Sequence, residues 1–103
     1  MTEQQFEDTV KWQLETFGEA TPISCLAHLR EEVDELELDI RSGDTSGSHM
    51  EFADCFILLF GAAGRAGMSY ADICTAVETK MAVNRKRKWG KPEANGVVNH
   101  IKS

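Results

Sequence analysis

Five acidic residues stand at spacings that suit metal chemistry: Glu31, Glu32 and Glu35, then Glu51 and Asp54 sixteen and nineteen residues after Glu35. On a helix, positions i and i+3 share a face, so Glu32 with Glu35 and Glu51 with Asp54 each project a carboxylate pair in one direction. The second pair opens directly into Cys55-Phe-Ile-Leu-Leu-Phe-Gly-Ala-Ala63, a stretch with no polar helix face. Carboxylates at the mouth of such a helix are costly to desolvate unless a cation meets them, and a hard divalent ion takes oxygen ligands. Either pair alone is explained by acids favouring a helix N-terminus. The two together point to a divalent-metal site.

The elements that must position these groups read as four helices. Thr2 with Gln5 is a capping-box pattern, and Phe6, Val10, Leu14 and Phe17 repeat at helical spacing up to Gly18, predicting a first helix over 3–17. A second helix is expected from about Ser24 to Ser42-Gly43, with Leu26, Leu29, Val33, Leu36 and Ile40 as its apolar stripe. His28, Glu32, Glu35 and Asp39 form a polar stripe about 110° round from it, bordering the core. Residues 41–48 are rich in Gly, Ser, Asp and Thr and read as a loop that returns a third helix, from about His49 to Ala66, antiparallel to the second. The two carboxylate pairs then converge. His49 falls in that loop. A fourth helix spans roughly Tyr70 to Trp89, and from about residue 90 an irregular tail follows with no strand of useful length. The expected fold is a single all-α domain over 1–103, a four-helix bundle.

A chain of 103 residues makes one domain with a modest core. The helix after Asp54 needs cover on all sides, more than three short helices of one chain provide, so a homo-oligomer, dimer or tetramer, is expected. The net charge of −6 argues against a general nucleic-acid binder. Yet six of the eleven Lys and Arg fall between Lys80 and Lys91, setting a basic end against an acidic middle. Cys25, Cys55 and Cys74 lie in apolar helical contexts without metal spacing and read as small core residues of a reducing compartment. With neither a leader pattern nor a run long enough to span a bilayer, a cytoplasmic protein without membrane contact is expected.

Lys80, Asn84, Arg87 and Lys88 recur at i, i+4 and i+7 or i+8, giving the fourth helix a cationic face suited to phosphate oxygens. A solvated basic helix end explains the same residues, and only their coincidence with the metal site lifts the phosphate reading. Trp12 and Trp89 could each stack on a base, although an aromatic at helical spacing is more often core. His28 shares the stripe of Glu32 and Glu35, where it meets either a substrate or metal-held water, or simply a partner within the fold.

Glu31-Glu32-Val33-Asp34-Glu35 followed by Glu51-Phe52-Ala53-Asp54 resembles the EExxE and ExxD pattern of the MazG-like, all-α nucleoside triphosphate pyrophosphohydrolases. Lys80-Met-Ala-Val-Asn84-Arg-Lys-Arg87-Lys-Trp89 is similar to the Lys, Asn and Arg segment that follows in that family. Trp12 with Glu15-Thr-Phe-Gly18, His28-Leu-Arg-Glu31-Glu32 and Asn99-His100-Ile-Lys102 resemble a small phage-associated branch assigned to dATP and dGTP. The resemblance implies a site between helices two, three and four, and hydrolysis of purine deoxynucleoside triphosphates to the monophosphate and pyrophosphate. By the same resemblance Glu32, Glu35, Glu51 and Asp54 hold Mg²⁺ or Mn²⁺, and four carboxylates over-neutralise one ion, so two or more are expected. Glu31 or one of the ligands, such as Glu35, takes the proton. Lys80, Asn84 and Arg87 grip phosphates, with Trp12, His28 and Trp89 toward the nucleotide; the crowded run Arg85–Lys88 leaves open which cation serves.

Three alternatives compete. A carboxylate-bridged di-iron bundle needs a Glu-x-x-His repeat, absent here, where the i+3 partners are Glu35 and Asp54. The same bundle and chemistry serve other nucleotides: dCTP, dUTP or phosphoribosyl-ATP. A helical interaction module with acids and bases paired across helices requires no metal at all.

Overall fold

The computed structural model describes residues 1–101 and contains four helices: α1 (Glu3–Phe17), α2 (Pro22–Ser42), α3 (Thr45–Arg65) and α4 (Tyr70–Lys86). Lys102, the last position of the closing motif, lies outside the described residues. Met1–Tyr70 form one compact unit and Ala71–Ser103 a second.

In the first unit the helix starts are fixed by side chains that satisfy orphan amides. The Gln5 amide donates to Thr2 Oγ1 at 3.1 Å and the Thr2 amide to Gln5 Oε1 at 2.8 Å, closing the expected capping box. A second box, Thr21 with Ser24, starts α2 two residues before the predicted Ser24, because Pro22 at the first turn loses nothing by lacking an amide hydrogen. Gly43, at φ +77°, ends α2 in the left-handed conformation that a side chain disfavours.

The predicted 41–48 loop shrinks to Gly43 and Asp44. Asp44 caps α3 by accepting from the Gly47 amide at 2.9 Å, and Ser48, buried, donates its hydroxyl to the Thr45 carbonyl at 2.9 Å. The cap and this internal bond offset the weak helix propensity of Thr-Ser-Gly-Ser. His49 therefore lies on a helix, not in a loop. α2 and α3 form an antiparallel hairpin, the principal packing of the unit, and the backbone of α1 lies against that of α3.

Phe6, Cys25, Leu58 and Ala62 are the buried apolar centre, with the Phe6 ring edge-on to Phe60 at 5.7 Å. The stripe on α1 departs from the expected one. Leu14 and Phe17 are half-exposed, whereas Gln13 is 1 % exposed, so the inner face runs Phe6, Val10, Gln13. Gly61 and Gly64 of α3 make this possible by letting α1 come close. A Cβ at Gly61 would overlap the Gln13 carboxamide, and one at Gly64 would stand 2.8 Å from Val10 Cγ1. Gln13 uses the approach to donate from Nε2 to the Ile57 carbonyl at 2.8 Å. The other side of α3 is bare: Phe52, Phe56 and Leu59 are each more than 40 % exposed. The burial expected around this helix is thus not achieved within the first unit.

In the second unit α4 ends at Lys86, three residues before the predicted Trp89, and the tail, irregular over residues 90–99, closes in a short strand pair. β1 (Lys88–Trp89) pairs antiparallel with β2 (His100–Ile101), with Lys88 opposite Ile101 and Trp89 opposite His100. The Gly90 amide extends the pairing to the Asn99 carbonyl at 2.8 Å, and Gly96, at φ +86°, turns the connection. Two-residue strands carry no readable alternation, which is why periodicity missed them.

Candidate active site

The α2–α3 hairpin brings the acids together as the spacing predicts. Ligand oxygens of Glu32, Glu35 and Glu51 lie within 4.8 Å of one another. Glu51 carries the strain of that convergence. Its carboxyl is raised from the ordinary 4.5 to about 6, first by a hydrogen bond with the Glu32 carboxyl, then by desolvation, then by the charges of Glu32, Asp54 and Asp39. Its Oε2 is buried and makes no hydrogen bond. A buried, unpartnered carboxylate oxygen among like charges is what a cation would satisfy, so the donor set fits a hard divalent ion.

Asp54 stands outside the tight trio but its charge acts on Glu51. With Glu32, Trp12, Phe17 and His28 it lines a cleft of about 140 Å³ between α1 and the hairpin. His28 Nε2 is 3.3 Å from Glu32 Oε1, an i,i+4 pair along α2. Phe17 sits edge-on between Trp12 and His28, with centroid separations of 5.6 and 6.4 Å. Trp12, 54 % exposed, is not a core residue, and its ring is free to meet a flat ligand. Glu31 is exposed and is not among the three converging carboxylates. Beneath the acids, burial and then the charges of Glu32, Glu51 and Asp54 push the Cys55 thiol up, which keeps it protonated and inert.

Lys80 and Asn84 lie on α4, with Arg87 just beyond its end, in the second unit. There Trp89 donates its indole N–H to the Asn84 backbone carbonyl at 3.0 Å and meets His100 edge-on at 6.0 Å, so it braces the hairpin on the helix. The Asn84 side-chain oxygen is buried and makes no hydrogen bond.

Two residues that sequence reasoning passed over shape the cleft. Gln13, polar and so outside any apolar stripe, lines its floor. Arg65, read only as part of a helix end, donates to three backbone carbonyls near the cleft: Gln13 at 3.2 Å, Gly18 at 3.1 Å and Ala20 at 2.7 Å. A single arginine beside a helix terminus gives no sequence signal for such a bridge.

The fold and the acid trio define an all-α, MazG-like protein in which an antiparallel helical hairpin presents converging carboxylates beside an aromatic cleft. Over 99 % of both chains it superposes on a Cyanophage S-2L MazG-like pyrophosphohydrolase, at a TM-score of 0.78 and 28 % identity; that protein was solved bound to dGDP and three catalytic Mn²⁺ ions per active site. Residues 5–103 match the family model for dATP/dGTP pyrophosphohydrolase, and the chain belongs to that family. It is 39 % identical over 90 residues, 87 % of its length, to a dATP/dGTP diphosphohydrolase of Salmonella phage PMBT28, of which it spans only 28 %. It is 35 % identical over 80 residues to the dATP/dGTP diphosphohydrolase of Cyanophage S-2L, covering 78 % of this chain and 69 % of that one.

Proposed function

We propose that the protein hydrolyses purine deoxynucleoside triphosphates, dGTP and dATP, to the monophosphate and pyrophosphate, with Mg²⁺ as the working metal and Mn²⁺ able to replace it. The observation that carries the reading is the convergence of Glu32, Glu35 and Glu51 on one point beside a cleft walled by Trp12, Phe17 and His28. Membership of the family and the dGDP and Mn²⁺ in the related phage structure support it.

Glu32, Glu35, Glu51 and Asp54 would hold the ions, two or more per site. When bound, such ions neutralise the triphosphate and make a water more acidic. Trp12 offers its face to the purine, and His28, anchored through Glu32, stands where it can donate to the nucleotide. A carboxylate of α2, Glu31 or Glu35, takes the proton as water adds to the α-phosphorus and the bond to the pyrophosphate oxygen breaks. Lys80, Asn84, Arg87 and Trp89 are our candidates for further contacts to the phosphates and the nucleotide.

We further read the bare α3 face of Phe52, Phe56 and Leu59 as the contact surface of a homo-oligomer, and place the protein in the cytoplasm, where its substrates are. The test of the activity is pyrophosphate release from each of the four dNTPs with Mg²⁺ or Mn²⁺. Release from dGTP and dATP is expected. No release from any nucleotide with either ion refutes the proposal.

A further inference from the structure

Arg65 ends α3, yet its guanidinium serves the other side of the cleft. Nη1 donates to the carbonyls of Gly18 and Ala20, and Nη2 to that of Gln13. The first two belong to the α1–α2 connection and the third to the penultimate turn of α1, so one guanidinium spans the end of the helix and the chain that leaves it. Gly18, at φ +46°, turns the chain sharply out of the helix there.

The last turns of α1 carry the cleft wall. Trp12, Gln13 and Phe17 stand on α1, facing His28, Glu32 and Asp54 across the cleft. The α1 backbone approaches α3 closely and not α2, so across the gap in which a ligand would lie the two helices meet through side chains, Phe17 against His28. Its width is set where α1 is tied to α3. Those ties include the Phe6 ring on Phe60, the Gln13 carboxamide against Gly61, the Val10 contact at Gly64, and the three bonds of Arg65. Of these, only Arg65 also holds the chain beyond the helix.

We infer that Arg65 is a positioning residue for nucleotide binding: it fixes the aromatic wall of Trp12 and Phe17 at its working distance from the acid trio without touching the ligand or the metal. The inference rests on the proposed nucleotide activity for its kinetic consequence, but not for its structural one. A planar fork with several donors can bridge three carbonyls, whereas a lysine ammonium on a flexible stem cannot hold the same geometry.

The test uses the full chain as Arg65→Lys and Arg65→Gln. For Arg65→Gln the expected KM for dGTP rises about tenfold, while kcat and Mn²⁺ affinity stay within about twofold of wild type. Arg65→Lys, keeping the charge and some of the bonds, should fall between. Amide hydrogen exchange over 17–21 should quicken at least about tenfold in both variants, with exchange in α2 and α3 unchanged. An unchanged KM overturns the inference, as does a fall in kcat or Mn²⁺ affinity matching any rise in KM. If Arg65→Gln loosens α2 and α3 as well, or fails to fold, Arg65 is a general prop and the inference is also overturned. Should wild type release no pyrophosphate, the proposed activity fails, and the exchange pattern alone still decides whether Arg65 holds the wall.

Discussion

Metal affinity should follow the ionisation of Glu51. Its carboxyl titrates at about 6 where the ordinary value is 4.5, because the hydrogen bond with Glu32, desolvation and the neighbouring acids all favour the proton. In the metal-free protein the raised pKa means that the proton stabilises the fold. That contribution is fully present below about pH 4.5 and is lost as the pH rises through about 6. A divalent ion needs the ionised form, so its affinity runs the opposite way. With a pKa of about 6, roughly one Glu51 in eleven is ionised at pH 5 and nearly all at pH 8, which makes Mn²⁺ binding about tenfold weaker at pH 5 from this residue alone. Isothermal titration with Mn²⁺ at pH 5, 6, 7 and 8 measures the slope, and Glu51→Gln isolates its source. The variant should bind more weakly throughout and with a flatter pH dependence. Equal affinity at pH 5 and pH 8, or a Glu51→Gln protein that keeps the wild-type slope, would refute the reasoning.

Other outcomes follow from the same geometry. Glu51→Gln and Asp54→Asn should each lower pyrophosphate release at least about a hundredfold, since each removes charge from the metal-holding set, measured as initial rates with saturating Mg²⁺. Added Mg²⁺ or Mn²⁺ should raise the melting temperature of wild type and EDTA should reverse it, with little response from Glu51→Gln; indifference in wild type would favour the interaction-module alternative. Gly61→Ala should destabilise by about 1–3 kcal/mol, because the new methyl group meets the Gln13 carboxamide, and thermal denaturation should register a drop of several degrees. Trp12→Ala should raise KM for dGTP about tenfold or more while leaving Mn²⁺ affinity unchanged, as the ring lines the cleft but offers the ion no ligand atom.

The parts of the site that the sequence made legible are those governed by local rules. The spacing of Glu32, Glu35 and Glu51 needed only helical period and an antiparallel return, and both hold. Thr2 and Gln5 announced the start of α1 because a capping box is a pattern of adjacent residues. The start of α3 was hidden since Thr-Ser-Gly-Ser has weak helix propensity and only the Asp44 cap, seen in place, overrides it. Gln13 escaped because its burial depends on the absence of side chains at Gly61, 48 positions away, a relation no periodicity contains. Arg65 escaped for the same reason, its three acceptors being 45 to 52 residues earlier in the chain.

The two-residue tip at Gly43 and Asp44 turns the α2–α3 hairpin into a ruler. Glu35 stands eight residues before Gly43 and Glu51 seven after Asp44, so at 1.5 Å per residue both acids sit about 11–12 Å down from the tip, level with each other. A residue inserted in either arm above an acid would lower that carboxylate by about 1.5 Å and swing it through about 100° away from its partners. The same residue inserted into the tip would leave both arms intact. Among related chains, length variation should therefore be tolerated at the hairpin's turn and excluded between the turn and the acids, so that counting residues outward from the turn identifies which carboxylates can meet.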